Sequence, residues 1–353
     1  MDDYAASGSP TTSVPSADPV SWPTVSVIMP VLDEERHLAD AVRHILAQDY
    51  PGELELVIAL GPSRDNTDAI AAELCAADPR VHTVPSPTGR TPASLNAAIA
   101  AARHDIVVRV DGHGLLTPGY IRTAVRLLRE TGAVNVGGVM HAEGVTVFER
   151  SVAVAMTSKL GVGNARNHTG GEAGAAETVY LGVFRREILT KHHGYNEAFI
   201  RAQDWELNHR IREAGGLIYF SPELHVTYRP RPSLGKLARQ YLEYGRWRRV
   251  VMRTHSGTAS LRYLAPPLAV LAVLLGTLLG IVALFTVPWL AIGFAAPVGY
   301  ALGIGLGALR ESRGQPTGVR LRLPLVLATM HFCWGWGFLS SPKSLYRSTI
   351  ARP

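Results

Sequence analysis

The first chemical signal in this chain is a carboxylate and an imidazole two residues apart at the end of an apolar run. In VVRVDGHGLL (107–116), Val107, Val108 and Val110 read as an interior strand interrupted only by Arg109. Asp111 and His113 follow where the strand runs out. At that spacing both can reach one divalent ion: aspartate oxygen suits Mg or Mn, and imidazole leans toward Mn or softer metals. Such an ion would act as a Lewis acid toward a departing diphosphate. The plain alternative is a turn with a capping aspartate and an exposed histidine, and spacing alone does not decide. A second signal is FIRAQDWELNHRIREAGG (199–216), where Asp204 and Glu206 open a helix carrying Trp205, Leu207, Ile211 and Ala214. Carboxylates in a first turn gain from the helix dipole. Equally, one of them can serve as a general base toward an acceptor hydroxyl.

Strands and helices must alternate to bring these residues together. VSVIMPV (25–31), LELVIAL (54–60), RVHTVP (80–85) and DIVVRV (105–110) are short apolar runs that read as buried strands. Between them EERHLADAVRHILAQ (34–48), DNTDAIAAELCAAD (65–78) and TPASLNAAIAAAR (91–103) have helical spacing, the last with Pro at its first turn. This alternation predicts an α/β fold with a mostly parallel sheet and helices on both faces. Ligands then collect at the carboxyl ends of the strands. Pro30 to Glu34, Gly61 to Asp65, and Asp111 to His113 lie at such ends and are predicted to share one crevice, although Asp33 and Asp65 also suit helix caps. No GxGxxG, GxxxxGK[ST] or GxSxG occurs at a strand end, which removes the support for dinucleotide, P-loop and serine-hydrolase readings. The segment 161–177, GVGNARNHTGGEAGAAE, lacks periodicity and is predicted to be a mobile loop over the crevice.

The chain has 353 residues, with 35 basic and 29 acidic side chains and a net charge of +6. That balance favours anionic partners. Nucleic acid is not expected among them, because the arginines cluster beside apolar segments. Two distant cysteines, Cys75 and Cys333, exclude a disulfide scaffold. Residues 1–22 are rich in Ser, Pro, Ala and Asp and read as a disordered tail rather than a secretory signal. From Tyr263 to Leu309 no residue is charged, which suits two membrane spans with a hairpin near Thr286 to Pro288. A third apolar run, Leu323 to Pro342, reads as a span or a re-entrant piece. Arg246, Arg248, Arg249, Arg253 and Arg262 precede the first span, and Arg310, Arg313, Arg320 and Arg322 follow the second. Both clusters place the N-terminal domain in the cytoplasm. Lys343, Arg347 and Arg352 conflict with a fully crossing third segment. Just before the first span, PSLGKLARQYLEYGRWRRVV (232–251) is a basic amphipathic stretch with Tyr and Trp, the pattern of an interfacial helix. The predicted organisation is therefore a tail (1–22), a catalytic domain (23–230), an interfacial helix (231–258) and a membrane part with two or three spans (259–353). It describes a multi-pass protein of the inner (plasma) membrane.

VSVIMPVLDEERHLADAVRHILAQDYP, GPSRDNTDAI, LNAAIAAARHDIVVRVDGH, LGVFRRE and AQDWELNHRIREAGG together resemble family 2 glycosyltransferases. TSKLGVGNARNHTGGEAGAAETVYLGVFRRE and ARQYLEYGRWRRV narrow the likeness to bacterial exopolysaccharide enzymes of the succinoglycan-pathway type. The resemblance covers about positions 24–255 and the trailing apolar segments. It implies a GT-A type, Rossmann-like fold, a nucleotide-sugar donor (a UDP-sugar foremost) and inversion at the anomeric carbon. It implies that Asp111 and His113 stand at a DxD position binding Mn or Mg and the sugar diphosphate, and that Asp204 is the catalytic base. It also implies that Asp33 and Asp65, with Pro30 and Val31 nearby, contact the nucleotide, and that Arg90 and Asn96 lie on the donor side. Two departures stand out. Leu60 and Gly61 occupy the end of the second strand, where relatives carry an acidic residue that contacts the base. His113 replaces the second carboxylate of the motif.

A crevice beside a bilayer suits a lipid-linked acceptor, such as a polyprenyl diphosphate sugar, or a growing glycan. Two other readings stay open on the sequence: a nucleotidyl- or phosphotransferase using the same metal crevice, and a catalytically silent scaffold that binds a nucleotide sugar.

Overall fold

The computed structural model describes residues 21–346. Residues 1–20 of the predicted tail lie outside the described residues, as do Arg347 and Arg352. Trp22, at the end of that tail, already belongs to the fold. Its ring meets Tyr50 edge-on with centroids 5.6 Å apart, and Arg129 stacks on it at 5.4 Å.

The first half alternates as its periodicity requires. The strands are β1 (Val25–Val31), β2 (Leu54–Leu60), β3 (Val81–Pro85) and β4 (Ile106–Arg109). The helices between them are α1 (Leu38–Leu46), α2 (Thr67–Ala77) and α3 (Thr91–Ala101). All pairings among these four strands are parallel, in the order β3-β2-β1-β4. Side chains alternate between two cores. Val25, Val27 and Met29 join Leu38, Val42 and Ile45 of α1 on one face. Ile28 joins Leu95 and Ala98 of α3 on the other.

The second half extends the sheet in mixed sense. It contains β5 (Leu115–Leu116), α4 (Tyr120–Thr131), β6 (Asn135–Ala142), α5 (Val147–Thr157), α6 (Lys159–Val162) and α7 (Arg166–Thr169). Then follow β7 (Gly174–Ala175), β8 (Tyr180–Arg185), α8 (Arg186–Lys191), α9 (Gln203–Glu213) and β9 (Ile218–Tyr228). The sheet order continues β4-β8-β6-β9-β5, with β7 on β9; β6 and β9 are parallel, and β8, β5 and β7 pair antiparallel. The segment 161–177, expected to be a mobile loop over the crevice without periodic structure, carries short regular elements. Ser158 caps α6 through Gly161 N, α7 forms one turn, and Gly174 and Ala175 join the sheet opposite Phe220 and Tyr219. Glycine-rich composition hid a segment pinned by pairing to a strand far along the chain.

Four long helices close the chain: α10 (Leu234–Thr254), α11 (Leu261–Ala283), α12 (Ala295–Glu311) and α13 (Thr317–Leu339), with a 3-10 helix at Pro288–Phe294. Among the described residues two helical stretches are long and apolar enough to cross a membrane, Leu261–Ala283 and Pro288–Glu311. Their leucines face outward, with Leu268, Leu275, Leu278, Leu302 and Leu306 all exposed.

The third apolar run behaves differently. α13 packs against α5 and α10 as well as against the apolar helices α11 and α12. Its start touches Val147 of α5 beside Gly318, His331 Nε2 lies 2.8 Å from the Leu160 carbonyl, and Ser341, just past its end, donates to the Arg246 carbonyl at 3.0 Å. Against α10 the backbones nearly touch. A Cβ on Gly245 would fall 1.9 Å from the Trp334 carbonyl oxygen, and one on Gly337 2.1 Å from that of Leu242. Only glycine permits this approach.

Candidate functional site

The order β3-β2-β1-β4 reverses direction at β1, so a crevice opens beyond the carboxyl ends of β1 and β4. Pairing of β4 with β1 stops at Ile28↔Arg109, and Pro30 lies just past it, where a missing N–H leaves no ladder bond unmade on that side. Asp111, His113 and the turn after β1 meet at this opening.

The turn itself is specialised. The helical spacing predicted over 34–48 begins as a helix only at Leu38. Asp33 holds a left-handed φ of 55°, which turns the chain back, and His37 and Leu38 both donate to the Glu34 carbonyl at 3.0 Å. Left-handed non-glycine residues of this kind collect at functional sites. The turn aims the Glu34 carboxylate at His113, whose Nδ1 donates to Oε1 at 2.6 Å. That bond raises the His113 pKa, burial opposes it, and Asp111 adds to the rise.

Across the crevice stands α9. Its first residues follow Ala202, which has φ 61°, and are pinned by Phe199, which is buried against Trp247 of α10 with ring centroids 6.1 Å apart. The two carboxylates of its first turn separate cleanly. Glu206 is buried and takes bonds of 2.8 and 2.9 Å from Arg210, a structural ion pair. Asp204 faces the crevice, where the guanidinium of Arg109 binds it.

Arg109 is the hub of the site. It sits at the end of β4, only 3% exposed, with its guanidinium 5.8 Å from the centre of the Tyr195 ring. Nη1 binds Asp204 Oδ1, while Nε and Nη2 bind Asp111 Oδ1 at 3.2 and 3.0 Å. One buried cation therefore joins the strand-end aspartate to the aspartate of α9. Burial pushes Asp204 above the ordinary carboxylate range against the pull of Arg109, and Asp111 adds to the rise. For Asp111 burial acts the same way, but Arg109, His113 and Arg201 together outweigh it and lower its pKa. The strand pattern flagged Arg109 only as an interruption. A cation inside an otherwise apolar buried strand was the available signal, because such a charge requires a partner.

The remaining predicted residues divide. Asp33 Oδ1 accepts from Arg64 N at 2.8 Å, and Asp65 accepts from Thr67 N at 3.1 Å and Glu35 N at 3.2 Å. These carboxylates latch the loop after β1 to the loop after β2. Gly61 belongs to the same latch, donating to the Val31 carbonyl at 2.8 Å, in a space where a Cβ would lie 3.0 Å from Gly89. Asn96 exchanges two 2.8 Å bonds with the Tyr195 backbone and so holds the wall behind Arg109. Arg90 stands at the N-terminal end of α3 on the β3 side of the opening.

Among the described residues no group of three or more His, Cys, Asp or Glu side chains is arranged to hold a metal ion. The donor set still fits a cation shared with a substrate. Arg109 occupies one oxygen of Asp111, and Glu34 occupies Nδ1 of His113. Asp111 Oδ2 and His113 Nε2 remain to be offered, and a carboxylate behind the imidazole is the usual support of a ligating histidine. Mg or Mn bound by one or two protein groups completes its shell with phosphate oxygens and water.

A family model described as glycosyl transferase family 2 matches residues 26–192. The chain is similar to the succinoglycan biosynthesis protein ExoA of Rhizobium meliloti (strain 1021), with 32% identity over 325 residues, covering 92% of this chain and 96% of that protein. It is also similar to a dolichyl N-acetyl-alpha-D-glucosaminyl phosphate 3-beta-D-2,3-diacetamido-2,3-dideoxy-beta-D-glucuronosyltransferase of Methanococcus voltae. That match has 21% identity over 238 residues, 65% of this chain and 74% of that protein. Among solved structures, the mannosyltransferase PcManGT from Pyrobaculum calidifontis, in complex with GDP-Man and Mn2+, superposes with a TM-score of 0.57 at 20% identity. The superposition covers 91% of this chain and 89% of that one. This likeness identifies the sheet and its helices as the GT-A type.

Proposed function

Because the chain belongs to glycosyl transferase family 2 and so is a glycosyltransferase, we propose a nucleotide-sugar donor, a lipid-linked acceptor and inversion at the anomeric carbon. The observation that carries this reading is the shared cation: Arg109 ties Asp111, at the donor end, to Asp204, at the acceptor end. Inversion requires the attacking hydroxyl and the leaving diphosphate on opposite faces of one sugar ring. In this reading Asp111, at the end of the fourth strand, and Asp204, in the first turn of α9, stand on either side of that ring.

In this reading Asp204 takes the proton of the acceptor hydroxyl on the oxygen that Arg109 does not hold. Arg109 orients that carboxylate and pulls its pKa down against the burial that raises it. Glu34 fixes the His113 ring, and the latch of Asp33, Gly61 and Asp65 shapes the wall beside the nucleotide. A Mn or Mg ion held by Asp111 and His113 would supply positive charge where the diphosphate leaves. Arg201 and Arg231 act on Asp111 and His113 electrostatically and add fixed positive charge to the same end.

The names of similar proteins agree with these assignments. One acts in succinoglycan biosynthesis, one names a dolichyl-linked acceptor, and one holds GDP-Man with Mn2+. They leave the base of the donor open, as does Leu60 at the end of β2.

For the membrane part, α11 and α12 form a hairpin of two spans, and α10 lies at the cytoplasmic surface, with Arg248 turned inward against Trp205 and Tyr263 and Arg249 against Phe338. α13 stays on that side, held against α10 and α5. This arrangement also accounts for Lys343 beyond its end.

The test is a transfer assay on the full-length chain in detergent, with Mn, a panel of nucleotide sugars and a polyprenyl-linked glycan acceptor. Asp204→Asn is expected to lower the rate by about two to four orders of magnitude while leaving donor binding intact. Wild-type turnover by that variant, or unchanged cellular polysaccharide in cells carrying it, refutes the assignment and favours the scaffold.

A further inference from the structure

A second cationic cluster lies beside the first turn of α9, at Trp205. Arg248 of α10 is packed against two rings: its guanidinium carbon is 4.7 Å from the centre of Trp205 and 3.7 Å from that of Tyr263. Its Nη1 is buried and has no hydrogen-bond partner. Burial lowers its pKa, the field of Arg262 adds to this, and Tyr263 and Glu177 oppose it. The guanidinium carbon of Arg262 is 5.2 Å from the centre of the same Tyr263 ring, with its stem along Gly163. Two more buried polar atoms lack partners: Nε1 of the Trp205 indole that Arg248 faces, and Nδ1 of His168, which feels the charge of Arg262. Burial and then Arg262 depress His168 to about 4, so the imidazole is neutral near pH 7 and has one N–H to donate.

Buried donors without partners are rare in native proteins and call for an explanation. Here Arg248 Nη1 belongs to a cluster in which the Trp205 and Tyr263 rings lie against its guanidinium and Arg262 lies against the same Tyr263 ring. A ring against a guanidinium face leaves its edge open, and that edge matches the paired oxygens of a phosphate. The site also lies near where α10 ends and the first apolar helix begins, and Trp and Tyr beside such a helix are the residues that meet headgroups when it spans a bilayer.

From this we infer that Arg248, Arg262, Trp205 and His168 form the binding site for the diphosphate of a membrane-anchored acceptor. The inference rests on the glycosyltransferase reading above and assigns the acceptor's anionic group to residues separate from the donor end. Asp204 and Trp205 are neighbours in the first turn of α9. In this proposal the sugar carried by a diphosphate at Arg248 reaches around the first turn of α9 to Asp204, while its hydrocarbon tail follows α11 into the bilayer.

The test uses the full-length chain in detergent with EDTA, which removes any cation-dependent binding at Asp111 and His113. The probes are farnesyl diphosphate, inorganic pyrophosphate and phosphatidylglycerol, each titrated while thermal stabilisation is read. Farnesyl diphosphate is expected to bind the wild type more tightly than either other probe, and Arg248→Gln to weaken it about tenfold or more. Arg248→Lys keeps the charge without the fork, is the second variant should the first not fold, and is expected to bind more weakly than wild type. Equal affinity in the folded variants overturns the inference. So does pyrophosphate binding as tightly as the prenyl compound, or stabilisation by phosphatidylglycerol alone. A parallel titration with nucleotide sugars and Mn keeps the two readings apart: its failure in wild type counts against the donor reading and leaves the diphosphate site standing.

Discussion

Replacing Arg109 by methionine removes the one cation that neutralises two aspartates at the end of β4. The side chain of Arg109 is 4% exposed and that of Asp111 21%, so neither side of this pair is well hydrated. Breaking a buried pair from one side costs about 3–5 kcal/mol, because a charge is left without compensation. Asp204 retains 36% exposure, so water can recover part of its solvation. The lower end, about 3 kcal/mol, is therefore expected. For a domain of this size that lowers the unfolding midpoint by roughly 6 °C or more.

Activity should fall further than stability, since Asp204 loses its orientation and its ionised form loses its support. The assay is a double-mutant cycle on the detergent-solubilised full chain, with Arg109→Met, Asp204→Asn and both together, reading thermal midpoint and transfer rate. Neutralising Asp204 relieves part of the unpaired charge, so the double variant should be less destabilised than the sum, by about 1–2 kcal/mol. Arg109→Lys should recover midpoint but little rate, because an ammonium cannot bridge both carboxylates in a fork. A midpoint for Arg109→Met within about 2 °C of wild type, with no coupling to Asp204, would refute the hub described here.

Three further outcomes are expected. Glu34→Gln weakens the support behind the His113 ring and should raise the Mn concentration for half-maximal activity about tenfold, with rate recovered at saturating Mn; an unchanged Mn requirement counts against the role of Glu34. His168 is held near 4 when folded, below its ordinary 6.5, so the unfolded chain takes up its proton first and stability drops as pH falls through that window. The loss is at most about 3 kcal/mol and should flatten in His168→Gln, as followed by unfolding midpoints between pH 7 and 4. Topology reporters fused after Gly314 and at the C-terminus should both report the cytoplasmic side; a C-terminal reporter on the opposite side shows that α13 crosses.

Elements whose signals are local were readable along the chain. β1, β2 and β4 are short apolar runs, and α2 and α3 carry their own helical periodicity, so their ends agree with the expected ones to within a few residues. The crevice followed from strand–helix alternation, and Asp111 and His113 stood out because they end a strand, whereas Asp204 was separated from Glu206 only by the family resemblance. α1 began late because the turn Asp33 to His37 is specified by contact with Thr67 and Asp65 on the neighbouring loop, outside its own periodicity. The 161–177 segment likewise takes its order from β9 and Ser158, which no composition count registers.

The amino-acid sequence by itself determined which segments are strands, which are helices and which are too apolar to stay in water, because those preferences are set by a residue and its near neighbours. Tertiary structure alone decided what Arg109, Glu34 and Arg248 do. Each acts on partners from distant parts of the chain: Arg109 on α9, Glu34 on the turn after β4, Arg248 on Trp205 and Tyr263. It also decided that α13, as apolar as a span over much of its length, lies against α10, since Gly245 and Gly337 matter only once the two helices meet. A buried charge has meaning through what neutralises it, and that neighbour is a product of folding.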